Sequence, residues 1–237
     1  MSLLTIVQRF CERTNLSRPS TVYGSTDPQV VQIKALLEEI GIDANSRGSW
    51  QRTQFQVLHT TTAAEDQGAL TTIAGAGFEY MKNLTIWDRS RRLPVLGPLS
   101  GPDWQTLLAM VVNGPTYQFR IRGGRLLVNP VPPADETWAF EYGSKYWILG
   151  ADGTTYKEYF TLDTDEPVLP QSLLLQGLRA WWKKEKGLDY AEDMRMYETQ
   201  IKDALARDGG KPVLNLDHRF RRGPTPGIFV PQGSWDL

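Results

Sequence analysis

The side chains best equipped for chemistry in this chain are two histidines, three adjacent acidic pairs and a set of clustered arginines. His59 and His218 lie far apart, and neither has cysteine or histidine neighbours at metal-ligand spacing. No metal site and no cofactor is therefore expected. The glycine patterns that cradle phosphates or dinucleotides are missing, as are H-E-x-x-H and G-x-S-x-G. Gly75 and Gly77 in "GAGFEY" read as turn residues. Glycoside hydrolysis needs two carboxylates converging on one bond. The pairs Glu38-Glu39, Asp135-Glu136 and Asp165-Glu166 fall on a helix face or in loops and read as solvated surface. No catalytic residue is assigned.

The arginines are more suggestive. Arg89, Arg91 and Arg92 gather at one turn, Arg120, Arg122 and Arg125 flank Gly123-Gly124, and Arg219, Arg221 and Arg222 stand near the end of the sequence. Guanidinium groups in such clusters either stay solvated, pair with carboxylates of a partner, or face nucleic-acid phosphates. The net charge of −1 argues against bulk attraction to nucleic acid and makes any basic surface local.

These side chains need a scaffold. With 237 residues, 41% hydrophobic and 11% aromatic, the chain is long enough for one large domain or two small ones. Its one cysteine, Cys11, lies in an apolar helical stripe and reads as a buried thiol. No apolar run approaches the roughly 18 residues of a membrane helix, so no membrane partner is expected. The first residues, interrupted by Gln8 and Arg9, do not read as a signal peptide.

Leu3, Leu4, Val7, Phe10 and Cys11 form a helical stripe. Asp27-Pro28 opens a second helix carrying Val30, Ile33, Leu36, Leu37 and Ile40, with Gly41 either inside it or at its end. From Trp50 the alternation predicts strands. "FEYMKNLTIWDRSRRLPVLGPLS" reads as strand, turn, strand. Ser100 and Asp103 cap a helix bearing Trp104, Leu107, Leu108, Met110 and Val111. Tyr117 to Val128 reads as a hairpin through Gly123-Gly124, continuing with Trp138, Phe140 and Tyr142 into a three-stranded meander over 116–149. "TTYKEYFTLD" is expected to extend that sheet. A helix with Leu173, Leu174, Gly177, Leu178 and Trp181 on its core stripe follows, with Trp182 on its flank. Gly177 there costs about 1 kcal/mol relative to alanine and predicts close approach of another helix. A last helix places Tyr190, Met194, Tyr197, Ile201 and Leu205 on one face.

The expected fold class is α+β: a bundle of N- and C-terminal helices (1–49 and 166–208), an inserted antiparallel β region with one helix (50–165), and an extended C-terminal arm (209–237). That arm carries four cations against two aspartates, a local charge of +2.

Four stretches together resemble a known family: "LLTIVQRFCERTNLSRPSTVYGSTDPQVVQIKALLEEIG", "SWQRTQF", "YQFRIRGGRLLVNPVPPADETWAFEY" and "LLLQGLRAWWKKEKGLDYAEDMRMYE". Their order and wording are similar to the head-to-tail adaptors of tailed bacteriophages, of the tail tubular protein A type. The likeness spans roughly residues 3 to 205. It implies a structural, non-enzymatic protein of the virion, assembled in the host bacterial cytoplasm. It further implies a ring of twelve copies joining the portal to a tail or nozzle protein, with genomic DNA passing through the lumen. It carries over no catalytic residue. Two other readings stand beside it: a DNA-binding virion module that uses the arginine clusters, and a tail-associated hydrolase.

The arm fits the adaptor reading. Ordering a residue costs about 1–2 kcal/mol of backbone entropy, whereas burying Phe220, Ile228, Phe229 or Trp235 returns about 1.5–3 kcal/mol each. Only a large preformed surface offsets the difference. The arm is thus expected to dock on a neighbouring copy or on the portal, through those apolar anchors and Arg219, Arg221 and Arg222. Arg89, Arg91, Arg92, Arg120, Arg122 and Arg125 are expected to face a partner or the channel.

Overall fold

A computed structural model describes residues 1–110, 114 and 116–209. The expectations placed on His218, Arg219, Phe220, Arg221, Arg222, Ile228, Phe229, Trp235 and Val111 lie outside the described residues.

The fold is α+β. Helices α1 (Leu3–Thr14) and α2 (Pro28–Ser46) come first, and α5 (Gln171–Glu185) and α6 (Ala191–Asp208) come last. Each buries most of the stripe its spacing dictates, although Leu4, Met194 and Leu205 are only partly covered and Tyr190, expected on the α6 face, precedes that helix and is exposed. Leu3, Ile6, Val7, Phe10 and Cys11 of α1 meet Ile33, Leu36, Leu37 and Ile40 of α2, Leu173, Leu174 and Leu178 of α5, and Tyr197 and Ile201 of α6 in one core. Asp27 caps α2 by accepting from the Gln29 amide at 2.9 Å, with Pro28 at the first helical position. Gly177 is the close-approach point expected of it. A Cβ there would lie 2.8 Å from both Ile40 of α2 and Tyr197 of α6.

Gly41 does not end α2, which runs on to Ser46. Its small size serves packing instead, because the ring of Trp147 lies against it. The two tryptophans of α5 exchange their expected places. Trp182 is buried, edge-on to Phe10 with ring centroids 5.7 Å apart, while Trp181 is only partly covered. Seven α5 positions are buried, a broad arc rather than one stripe, and Trp182 is the one that meets Phe10 of α1.

Between the helix pairs, the described residues form eleven short strands in three sheets. Strand β1 (Gln54–Thr60) pairs antiparallel with β8 (Thr137–Ser144). Strands β3 (Phe78–Met81) and β4 (Trp87–Asp88) also pair with β8, and β5 (Leu93–Pro94) pairs with β4. The hairpin of β6 (Gln118–Arg122) and β7 (Arg125–Asn129) turns through Gly123 and Gly124, both at positive φ. The expected meander is not formed, because β7 takes β2 (Asp66–Ala69) as its second neighbour and β8 joins the other sheet. The prolines at 130, 132 and 133 account for the break, since they offer no N–H to a continuing ladder. Nor does "TTYKEYFTLD" extend the sheet. Strand β10 (Tyr156–Lys157) joins β9 (Ile148–Leu149) and β11 (Glu166–Pro167) in a separate three-stranded sheet.

The β region has its own core of Leu70, Met81, Ile86, Val95, Tyr117, Phe119, Leu126, Val128, Trp138 and Phe140. Among the described residues it also holds two helices rather than one, the four-residue α3 (Leu70–Ile73) and α4 (Gly101–Ala109). Ser100 caps α4, accepting from the Asp103 amide and donating to its carboxylate. Only Trp104 of α4 is buried. Leu108 and Met110 are exposed instead of forming a core stripe.

The two cores are joined by the segment after β8. Trp147, Ile148 and Phe160 belong to the helical core although they lie within the β insertion. Asn45 of α2 donates to the Ser144 carbonyl at 2.9 Å. The loop between β10 and β11 clasps the N-terminal helix, since the Asp165 and Asp163 carbonyls accept from the Leu3 and Leu4 amides and the Asp163 carboxylate accepts from Val22 and Tyr23.

Candidate functional site

The turn between β4 and β5 carries the first arginine cluster. Asp88 shapes it: its carboxylate, 1% exposed, accepts from the backbone amides of Ser90 at 2.9 Å and Arg91 at 3.0 Å. The Arg89 amide donates to the Thr137 carbonyl, and the Ser90 hydroxyl accepts from the Thr137 amide. This turn is thereby fastened to the start of β8. Arg92 takes a left-handed backbone conformation, φ 59°, to close it.

Three arginines then point different ways. Arg91 turns inward, its guanidinium 4.7 Å from the Tyr117 ring centroid and its Nε 3.5 Å from a Glu136 carboxylate oxygen. The Tyr117 hydroxyl donates to the same oxygen at 3.3 Å. Burial first, then the Glu136 charge, pushes the Tyr117 phenol up to about 12. Arg89 and Arg92 point outward, and neither guanidinium has an ion-pair or hydrogen-bond partner among the described residues.

Arg89 and Arg92 rim an open cleft of about 570 Å³ against the largest sheet, lined also by Gln56, Thr85, Trp87, Ala139 and Asp88. The register explains the outer face of that sheet. Leu58 stands opposite Ala139, and Ala139 opposite Trp87, so three apolar side chains cross three strands in a row. On the other face, His59, Trp138 and Asp88 alternate with them. Leu58 is 58% exposed on its face, where the Gln56–Glu141 and Thr60–Thr137 pairs flank it, so the apolar row is narrow.

The second cluster is divided in the same way. Arg125 pairs with Asp66 at 2.6 Å, drawing the Asp66 carboxyl below its ordinary value. Arg120 donates to the Gly101 carbonyl at the start of α4 at 3.4 Å. Arg122, exposed at the hairpin, has no such partner among the described residues. Of the six arginines singled out for a partner or channel, the guanidinium groups of Arg91, Arg120 and Arg125 thus have partners, and those of Arg89, Arg92 and Arg122 have no hydrogen-bond or ion-pair partner among the described residues.

Compared with known protein families and with curated proteins, the chain finds no match. The chemistry has to be read from the side chains themselves.

The acidic pairs are not simply solvated surface. Glu136 is 9% exposed and serves Arg91 and Tyr117. Asp165 is fully buried. It accepts from the Thr161 and Leu162 amides at 2.8 and 2.9 Å and from the Lys157 ammonium at 2.9 Å. Burial raises its pKa, but these donors outweigh burial and hold it below the ordinary carboxylate range. Glu38 is partly buried, accepts from the Phe160 amide and lies near Lys34, and burial holds its carboxyl above the ordinary value. Asp193, which drew no notice in the sequence, is buried on α6 between Arg179 and Lys183. Its position after Tyr190 at the head of a helix was the only sequence sign of that role. Each of these carboxylates holds one structural element to another.

His59 is half-buried, with its Nε2 3.3 Å from the Gln67 side-chain oxygen, and burial lowers its pKa. Among the described residues, no group of three or more His, Cys, Asp or Glu side chains is placed to hold a metal ion, and no helix is long and apolar enough to cross a membrane.

Proposed function

We propose that this chain is a structural head-to-tail adaptor of a tailed bacteriophage. Twelve copies form a ring that joins the portal to the tail or nozzle protein and lets genomic DNA pass through its lumen. The observation that carries the reading is the architecture. Both ends of the described chain close one helical core, and the inserted β region keeps a core of its own. Such a subunit is suited to connection, because its two parts present separate surfaces to two neighbours. The resemblance of the four sequence stretches supports the same reading.

On this account Arg89, Arg92 and Arg122 meet carboxylates of neighbouring proteins or phosphates in the channel, and Arg91, Arg120 and Arg125 support the elements that carry them. Residues 209–237 form the arm that clamps a neighbouring copy or the portal. The protein turns over no substrate, and the buried carboxylates act as clasps.

The three arginines whose guanidinium groups lack partners among the described residues also favour a second reading, a DNA-binding virion module. Binding of duplex DNA to the free chain across a salt series separates the two. The adaptor reading expects weak binding by the monomer. Tight binding that falls steeply with salt, with a slope of several phosphate contacts, favours the DNA-binding module. Incubating pure protein with peptidoglycan or DNA tests the hydrolase reading. Dose-dependent cleavage abolished by one Asp, Glu, Ser or His substitution would overturn the adaptor account.

A further inference from the structure

We infer that the open edge of β1 pairs with β1 of a second copy, joining two free chains by one antiparallel ladder about a two-fold axis. The inference concerns the chain before any assembly and does not rest on the adaptor reading. Three observations lead to it.

The first is which backbone groups β1 leaves open. Along an antiparallel pair, residues turn their N–H and C=O alternately toward the facing strand and away from it. On β8, the Thr137 and Glu141 carbonyls accept from the Arg89 and Lys82 amides, on the side away from β1. Thr60 and Gln56 stand opposite these two residues. Gln56, Leu58 and Thr60 therefore turn their amides and carbonyls away from β8. Among the described residues those groups have no hydrogen-bond partner, and all three residues are exposed.

The second is the contrast with the other described edges. Unpaired edges invite pairing with other chains, and folds blunt them with short strands, proline, bulges, charge or cover. Strands β5, β10 and β11 have two residues each, and β5 and β11 contain Pro94 and Pro167. Strands β2 and β3 have four residues each and a shift in register. Strand β6 is covered, since the Phe119 amide donates to the Leu96 carbonyl and the Phe119 carbonyl accepts from the Leu99 amide. Strand β1 has seven residues in unbroken register, with no proline and no Lys, Arg, Asp or Glu.

The third is self-complementarity. Among the described strands, the long open edge that can meet β1 is β1 of another copy. Centred on Val57, the strand meets itself with Gln56 opposite Leu58, Gln54 opposite Thr60 and Phe55 opposite His59. This register brings the open groups of Gln56 and Leu58 together and sets no charge against a like charge. It also extends the inner row, where Val57 is only partly buried against the β core. A two-fold pair uses both open edges, so it closes at two copies. One seven-residue strand per copy makes a small contact, so the pair forms at high concentration and separates on dilution. On the adaptor reading, a ring joins unlike patches around a single axis, so the pair must separate before the ring closes.

Sedimentation of the full-length chain over a concentration series up to millimolar, together with oxidative crosslinking, tests this. The expected species are one and two copies in reversible exchange. Gln56→Lys with Leu58→Lys sets like charges opposite one another at exposed positions and should weaken the pair about tenfold, whereas Gln56→Lys with Leu58→Glu should restore it. Val57 faces its counterpart as a close pair, about 4.5 Å between Cα atoms, within the disulfide range of about 4.4–6.8 Å. Oxidised Val57→Cys should therefore give covalent dimers severalfold faster than Leu58→Cys, although Leu58 is the more exposed of the two. The native Cys11 is buried and does not compete. A chain that sediments as one copy throughout, growth beyond two copies, a pair indifferent to the charge changes, or Leu58→Cys crosslinking as fast as Val57→Cys would each overturn the inference.

Discussion

Gly41 of α2 lies directly beneath the Trp147 ring: a Cβ built on Gly41 would fall 2.1 Å from two of its ring carbons. Trp147 is fully buried and packs edge-on against Phe160, 5.4 Å between centroids. It follows β8, so through it the β region plugs into the helical core. Gly41→Ala should therefore destabilise the protein even though alanine is the better helix former. Overpacking costs about 1–3 kcal/mol, against about 1 kcal/mol of recovered propensity. Denaturant unfolding should show a net loss, and Gly41→Ala should cost less in a Trp147→Leu background.

Gly177 makes a parallel case with a different geometry. Its missing side chain admits Ile40 and Tyr197 together. Gly177→Leu should destabilise by more than Gly41→Ala, because two helices rather than one ring must move. Thermal melting of the two variants side by side checks the order.

Asp165 gives the fold an acid-sensitive clasp. Its folded pKa is depressed, so its contribution is present above the unfolded value near 3.9 and is lost as pH falls through the folded value. Asp165→Asn should cost roughly 3 kcal/mol at neutral pH, because Lys157 loses its partner and two amides lose a charged acceptor. That gap should shrink below about pH 4. Unfolding of both proteins from pH 3 to pH 7 measures it. A gap that stays constant across this range would assign the clasp to packing instead.

Deleting residues 211–237 should leave a folded monomer, since the apolar stripes of all four bundle helices end by Leu205 and, among the described residues, the buried members of both cores end at Ile201. The truncated chain should melt within a few degrees of the full chain. On the adaptor account it should fail to hold the portal, giving particles that leak DNA or lack tails. Unfolding on truncation would place the arm in the subunit's own core.

What the sequence revealed followed the range of the interactions involved. Helical stripes repeat every three or four residues, so Leu3 to Cys11, Val30 to Ile40 and Leu173 to Leu178 announce their buried faces locally. Caps and tight turns are equally local, which is why Asp27, Ser100 and Gly123-Gly124 stand where expected. Strand partners are not local. Nothing near Thr137 says that β8 pairs with β1, whose residues lie some eighty positions earlier, and so the expected meander gave way to two sheets. The two α5 tryptophans were misplaced because adjacent helical positions differ by 100° and a helix buried on two sides accepts either. Glu136 and Asp165 looked solvated because their partners Arg91, Tyr117 and Lys157 are brought to them only by the fold. Of the candidate site, the sequence marked the arginines; which of them the fold employs internally was beyond it.

The adaptor account stands or falls on assembly. Electron microscopy of the purified chain bound to the portal protein of the same virion tests it most directly. The account predicts a ring of twelve copies beneath the portal, each subunit's β region and helical core touching different neighbours. A stable complex whose copy number is incompatible with twelve-fold symmetry, or no association with the portal, would contradict it.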